Sequence, residues 1–330
     1  MLVLPETDIS AILRNLTPDH ASRLLHTLSS GLAAYTEQVT HSTGKPRIHQ
    51  PHRTSIVTDK QDTTLVMPVS DSTITSVKVV TIPQRGDIKG AITIYNTAGH
   101  LEGVLNAAEI TAFRTALTTL TMLTRCKTLP TRELVMFGAG KQIEWHARLA
   151  LHFLDGVKRI TVVNRGRARL VEFERGLLQE LRGSYPDVVF ETIAKEDNNR
   201  YEETLRSKLK DADVICCCTP SREPLFGPAD LQNDTKKARF ISLVGSYKPE
   251  MQEIPTEILR SADAVWMQPE ELSEIGELLL QGPDAQATAD SEPRLIIFKC
   301  VGLGVMDLVI GKALLELAEE LGKGTMIPEF

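Results

Sequence analysis

The stretch Leu134-Val135-Met136-Phe137-Gly138-Ala139-Gly140-Lys141-Gln142-Ile143 constrains the fold more than any other part of the chain. Four apolar residues run straight into two glycines one residue apart, and a helical pattern follows. Gly138 suits a tight turn and Gly140 lets the backbone approach a pyrophosphate, which then sits on a helix N-terminus. A glycine fingerprint alone is a weak signal. Here a strand precedes it, a helix follows, and a second strand comes one βα unit later. The third glycine is replaced by Ile143, which sets helix and strand slightly further apart. The alternative is a merely tight strand-to-helix turn.

What surrounds this segment extends the pattern. Strands are predicted at Glu133–Phe137, Arg159–Val163, Val188–Thr192, Asp213–Cys218, Phe240–Val244, Ala264–Met267 and Leu295–Lys299. Helical segments are predicted around 141–154, 167–183, 200–210 and 270–281. Such alternation predicts α/β architecture with a Rossmann-type doubly wound parallel sheet. The first third has another texture. Residues 8–40 are expected to be helical, with Thr17-Pro18 starting a second helix as N-cap and first-turn proline. From Arg47 to Leu105, runs such as Thr54–Val57, Thr64–Met67, Ser76–Val80 and Ala91–Tyr95 are broken by Asp, Gly and Pro. Strands without intervening helices imply a second, mostly antiparallel sheet in an α+β domain. A helix over Ala107–Lys127 links the two regions, and an amphipathic helix over Val305–Leu321 is expected to pack back on the first.

With 330 residues the chain is long enough for two cores, and 42% hydrophobic with 24% charged residues excludes a disordered or fibrous protein. A net charge of −6 gives no basic footprint for nucleic acid. Cys126, Cys216, Cys217, Cys218 and Cys300 are odd in number, and three are consecutive, which argues against a disulfide framework and for a reducing, cytoplasmic setting. The start carries Glu6 and Asp8 and no basic residue, unlike a secretory signal. Leu295–Ala318, the most apolar C-terminal stretch, is interrupted by Lys299, Asp307 and Lys312, too polar for a membrane span. His49 and His52 have no Cys or carboxylate cluster beside them, so no metal is expected. The three adjacent cysteines read as fillers of a buried strand.

The second strand of the parallel sheet ends Asn164-Arg165-Gly166-Arg167. An NAD site usually places Asp or Glu there to accept from the ribose hydroxyls. An amide and two guanidiniums favour a 2′-phosphate, hence NADPH/NADP+ over NAD(H). Arg165 and Arg167 also read as solvated charges at a helix start.

The chain resembles the ornithine cyclodeaminase/μ-crystallin family. The resemblance runs in order through Lys45-Pro46-Arg47-Ile48, Leu65–Pro68, Val77–Val80, Thr111–Ala116, Gly138–Gln142, Val163–Arg165, Cys218–Pro224, Val244–Pro249 and Phe298–Asp307. It implies a homodimer and substrates that are small amino or cyclic imino acids. It also implies a substrate-binding and dimerisation domain formed by 1–115 and 305–330, with an NAD(P)-binding domain over 116–304. Residue by residue, it assigns Lys78 and Arg114 to catalytic and substrate-carboxylate positions and Arg47 to a further substrate contact. Cofactor contacts fall on Thr115, Gly138, Ala139, Gly140, Lys141, Gln142, Asn164, Arg165 and Thr219. Gly166, Arg167, Ser221, Gly245 and Val301 complete that set.

The residue chemistry agrees with these roles. A carboxylate in a cleft needs a cationic fork, which Arg114 supplies. A charge in the Ala/Leu/Thr-rich helix around Phe113-Arg114-Thr115 also needs a partner. Lys78 faces opposite to Val77 and Val79; it reads either as an exposed strand residue or as a desolvated lysine able to donate a proton near neutrality. Met67-Pro68 either shapes a substrate pocket or ends an apolar strand. Gly302-Leu303-Gly304 either admits backbone beside the nicotinamide or forms a helix-entry turn.

Cyclodeaminases carry an Asp two residues after the glycine matching Gly245, where this chain has Tyr247, with Glu250 and Glu253 further on. Losing that carboxylate hinders ammonia elimination, and a tyrosine is a poor base at neutral pH. The stretch from Ser246 to Pro249 resembles the ketimine-reductase branch. The expectation is therefore an NADPH-dependent oxidoreductase reducing the C=N bond of a cyclic ketimine. Its rivals are an ornithine cyclodeaminase-like lyase using NAD+ catalytically and a non-catalytic, NADPH-regulated small-molecule binding protein.

Overall fold

A computed structural model describes residues 1–40, 46–84, 86–197, 200–231, 237–268 and 294–329. The chain forms two compact units, one comprising Met1–Arg114 and Gly302–Phe330, the other beginning at Thr115 and ending at Val301.

The first unit is built on a seven-stranded sheet. Its strands are β1 (Leu2–Leu4), β2 (Thr54–Val57), β3 (Thr63–Ser70), β4 (Ile74–Ile82), β5 (Lys89–Asn96), β6 (Leu101–Asn106) and β14 (Thr325–Met326), in the order β14-β1-β6-β5-β4-β3-β2. Every pairing is antiparallel except β1 with β6. Strands β3 and β4 alternate buried and half-exposed positions, as a sheet covered on one face requires. On β4 the buried positions are Ile74, Ser76, Lys78 and Val80, so the period of two sends Lys78 inward with the apolar residues. Helices α1 (Glu6–Arg14) and α2 (Pro18–Thr40) come between β1 and β2 in the chain, and Thr17 Oγ1 accepts from the N–H of His20, as an N-cap should. Helix α10 (Gly304–Glu320) belongs to this unit and packs on α2, β3, β4 and β5. It is less amphipathic than its sequence suggests. Only Lys312, Glu316, Glu319 and Glu320 are exposed, a narrow polar stripe on a helix otherwise buried.

The second unit holds an all-parallel sheet. Strands β7 (Glu133–Phe137), β8 (Arg159–Asn164), β9 (Val189–Ala194), β10 (Val214–Cys217), β11 (Arg239–Leu243), β12 (Ala264–Gln268) and β13 (Leu295–Cys300) lie in the order β12-β13-β11-β10-β7-β8-β9. The strand order reverses between β7 and β10, which is the doubly wound switch point. Both faces are covered, so strands such as Val214–Cys217 are buried at every position, and Cys216 and Cys217 pack as small apolar groups. Helices α3 (Ala107–Leu123), α4 (Lys141–Phe153), α5 (Arg167–Phe173), α6 (Gln179–Ser184), α7 (Tyr201–Asp211), α8 (Pro228–Leu231) and α9 (Thr256–Arg260) complete the elements; α3 starts in the first unit. The helix predicted over 167–183 carries a π-helical turn, Glu174–Leu178, between α5 and α6. The helix predicted around 270–281 lies outside the described residues. Among the described residues no helix is long and apolar enough to cross a membrane.

Candidate functional site

In the second unit the chain emerging from β7 turns at Gly138, whose φ of +124° belongs to the region that glycine alone adopts readily. Its N–H donates to the Val163 carbonyl at 2.8 Å, tying the turn to β8. A Cβ here would lie 3.3 Å from Ile143 Cγ1 and 3.5 Å from the Cys218 carbonyl. Gly140 is the N-cap of α4 and, having no side chain, contributes no cap to the amino end of that helix, the end that favours an anion. Ala139 is buried, while Lys141 and Gln142 are half-buried. Gln142 Oε1 and Thr219 Oγ1 are buried without a hydrogen-bond partner among the described residues. They follow β7 and β10, the two strands of the switch point. The Thr219 hydroxyl, buried and unpaired beside a glycine turn, can donate to a nucleotide phosphate, and Gln142 Oε1, an acceptor, suits a donor such as a ribose hydroxyl.

A third arginine joins the cradle. Arg169 Nε donates to the Ala139 carbonyl at 3.2 Å, and its Nη2 lies 3.7 Å from where a Cβ on Gly140 would stand. Sequence reasoning does not select Arg169, although the spacing 165, 167, 169 is its signal. Arg167 behaves otherwise: its Nε is paired with Asp197 at 2.9 Å, so its guanidinium is partly neutralised. Arg165 is exposed at the carboxyl end of β8, and Asn164 Nδ2 donates to the Gly166 carbonyl. Ser221 uses its hydroxyl locally, donating to the Glu223 carbonyl and accepting the Glu223 N–H. Thr115 is buried in α3, with its carbonyl 3.4 Å from Thr119 Oγ1, and Val301 is half-buried after β13.

The loop after β11 is held by a carboxylate. Glu253 accepts from the backbone N–H groups of Gly245, Ser246 and Thr219 and from Ser246 Oγ at 2.9–3.3 Å. Lys299 donates to the Ser246 carbonyl and hydroxyl at 2.5 Å and lies 3.9 Å from Glu253. Burial raises the Glu253 carboxyl pKa, and burial lowers that of the Lys299 ammonium. Glu253 is thus spent on shaping the loop and does not replace the carboxylate missing at Tyr247. Glu250 is exposed and Tyr247 half-buried.

A short polar chain crosses the core behind the cradle. His146 Nδ1 meets the Gln142 carbonyl at 2.7 Å, and its Nε2 meets Thr119 Oγ1, which touches Ser242 Oγ at 3.0 Å. A carbonyl accepts only, so Nδ1 carries the proton and Nε2 accepts. Burial pushes the His146 pKa down to about 4.

The first unit holds a buried ionic cluster. Lys78 on β4 is 2% exposed, Arg114 on α3 is 4% and Asp307 on α10 is 1%. Lys78 Nζ donates to Asp307 Oδ2 at 2.5 Å, and Arg114 Nε donates to Asp307 Oδ1 at 3.1 Å. One carboxylate therefore holds both cations. Burial lowers the Lys78 pKa to about 8, against the pull of Asp307 and with added repulsion from Arg114 and Arg53. Met67 stands directly across from Lys78 in the β3–β4 register and is buried beside it. Ser76 Oγ, on the same face, has no partner among the described residues. Gly302 has φ +85°, and a Cβ on it would come 2.7 Å from Arg114 Nη1, so the glycine makes room for the guanidinium.

Arg47 is exposed; its backbone N–H donates to Gln38 Oε1, and no described contact joins it to this cluster. Arg53 is the additional arginine whose charge reaches Lys78. Sequence reasoning selects neither Asp307 nor Arg53. Among the described residues no group of His, Cys, Asp and Glu side chains is arranged to hold a metal ion.

Comparison with known proteins identifies relatives of this architecture. The profile of the ornithine cyclodeaminase/mu-crystallin family matches residues 21–321. A Δ1-pyrroline-2-carboxylate reductase of Bacillus cereus is 25% identical over 324 residues, covering 89% of this chain and 94% of that protein. Among solved structures, Thermococcus litoralis Δ1-pyrroline-2-carboxylate reductase in complex with NADH and L-proline superposes with a TM-score of 0.75 at 17% identity, covering 99% of this chain and 100% of that one. An archaeal alanine dehydrogenase dimer with bound NAD gives 0.72 at 17% identity, covering 100% and 99%.

Proposed function

The chain belongs to the ornithine cyclodeaminase/mu-crystallin family, and from that membership we propose that it is a nicotinamide-dependent enzyme reducing the C=N bond of a cyclic ketimine carboxylate. The observation that carries this reading is the buried Lys78–Asp307–Arg114 cluster. Reduction of an imino acid needs a cation for the carboxylate and a proton for the nitrogen. Arg114 supplies the first as a guanidinium fork. Lys78 supplies the second: its ammonium, with a pKa near 8, is mostly protonated at neutral pH yet poised to give up its proton. Asp307 keeps both cations charged and in place. Met67 walls the substrate space beside Lys78. The reduced nicotinamide, when bound, supplies the hydride that goes to the imine carbon.

The residues of the cradle fit that coenzyme. Gly138 makes the tight turn, Gly140 starts α4 without a side-chain cap, Arg169 offers positive charge, and the unpaired Thr219 hydroxyl offers a donor to phosphate. NADPH is preferred over NADH in this reading because Arg165 stands at the ribose end of β8, where no strand-end carboxylate precedes it. A homodimer is supported by the outward face of the first sheet, where Ile56 and Val79 remain about half exposed. Five free cysteines support a cytoplasmic setting. Tyr247 weighs against cyclodeaminase chemistry.

The test is turnover by the purified protein. NADPH oxidation is expected with Δ1-pyrroline-2-carboxylate or Δ1-piperideine-2-carboxylate. Ammonia release from ornithine with catalytic NAD+ would replace this reading with a lyase. Tight NADPH binding without turnover of any imine, unchanged in Lys78→Ala, would make the chain a binding protein.

A further inference from the structure

The loop that follows β9 docks on the turn that follows β8, and it arrives as acid. Lys195–Asp197 form a single 3-10 turn there. The backbone N–H of Glu196 donates to the Arg165 carbonyl at 3.2 Å, fastening the loop to that turn. Glu196 Oε2 accepts the backbone N–H of Arg167 at 3.0 Å. Its Oε1 lies 3.5 Å from where a Cβ on Gly166 would stand. Asp197 pairs with the Arg167 guanidinium. In a parallel nucleotide-binding sheet this turn reads the adenosine ribose, by a carboxylate for a free 2′-hydroxyl or by arginine for a 2′-phosphate. Asn164 removes the carboxylate from the strand end, and Glu196 returns one from the neighbouring loop.

We propose that Glu196 is a coenzyme-selectivity residue: its carboxylate flanks the ribose 2′ position and opposes the 2′-phosphate that Arg165 attracts. The inference rests on the coenzyme reading given above. Its physical content is a balance of charges at one turn. Arg165 brings positive charge to the 2′ position, Glu196 negative charge, and Arg167 is partly cancelled by Asp197. The backbone N–H of Arg167, a natural donor to a phosphate oxygen, is already taken by Glu196. A 2′-phosphate must therefore share or displace that carboxylate, whereas a 2′-hydroxyl can donate to it. The chain should consequently bind both coenzymes with a narrow margin between them.

Glu196 is exposed, so Glu196→Gln should fold normally, and it keeps an acceptor for the Arg167 N–H while removing the charge. Calorimetric titration of the full chain with 2′,5′-ADP and with 5′-AMP separates the two ribose states without turnover. In Glu196→Gln, 2′,5′-ADP is expected to bind about tenfold tighter, the scale of a carboxylate facing a dianion within roughly 5 Å in a wet site. Affinity for 5′-AMP should change by no more than about threefold. The NADPH-over-NADH ratio of kcat/KM should rise in parallel. Equal changes for both nucleotides, or no change for 2′,5′-ADP, would overturn the inference while leaving the coenzyme reading intact. If the wild-type protein binds neither nucleotide, the coenzyme reading fails and this inference with it.

Discussion

Asp307 neutralises two cations with its two oxygens, and that sharing gives Lys78 its chemistry. Burial lowers the Lys78 pKa, and Arg114 and Arg53 push the same way; Asp307 opposes all three. If Lys78 is the proton donor, the reductive rate falls as pH rises through its pKa near 8. Removing the anion lowers that pKa further, so Asp307→Asn should move the basic limb of the kcat profile to lower pH. Profiles between about pH 6 and 10 would show it, and a uniformly lowered curve with an unmoved limb would refute the relation. Lys78→Met should lower kcat by about 10²–10⁴-fold with little change in NADPH affinity, measured by steady-state kinetics and calorimetry. Lys78 and Arg114 are legible in the sequence because a collinear resemblance marks them. Asp307 is equally visible as a charge in an apolar helix, but there it reads only as an interruption of a membrane span. Its partners lie 229 and 193 residues away, and spacing along a chain carries no trace of such a pairing.

Elements differ in how openly they declare themselves. The parallel strands are readable because burial on both faces makes each a continuous apolar run between turns. Strands β1, β6 and β14 are not, since β1 and β14 are only three and two residues long and β6 carries Glu102 and Gly103 within it. Their pairing comes from tertiary neighbours rather than propensity. The turn after β7 is readable in full, and it is where an element-level substitution should act. Gly138→Ala forces an L-residue to φ +124° beside the Cys218 carbonyl. It should destabilise the fold by about 1–3 kcal/mol and weaken NADPH binding, seen together in thermal melts and titration. The His146 chain makes a separate claim. Its pKa is depressed to about 4 from an ordinary value of 6.5, so the stability it contributes is complete above pH 6.5 and is lost as pH falls through 4. His146→Gln should flatten the dependence of melting temperature on pH across that window.

For the whole molecule, the proposed dimer makes the outward face of the first sheet a target. Val79, on the opposite face of β4 from Lys78, is 41% exposed. Val79→Glu should yield monomers in sedimentation experiments while leaving nucleotide binding in place; a dimer that persists would move the interface elsewhere. The order of the chain imposes a schedule of its own. The segment that begins at Gly302 completes the unit that Met1 began, and every strand from β7 to β13 comes between. A nascent polypeptide still short of Asp307 holds Lys78 and Arg114 with no helix α10 to answer their charge. Enclosing two cations without their anion costs several kcal/mol, so the first unit cannot close over Lys78 and Arg114 until the segment that carries Asp307 has joined it.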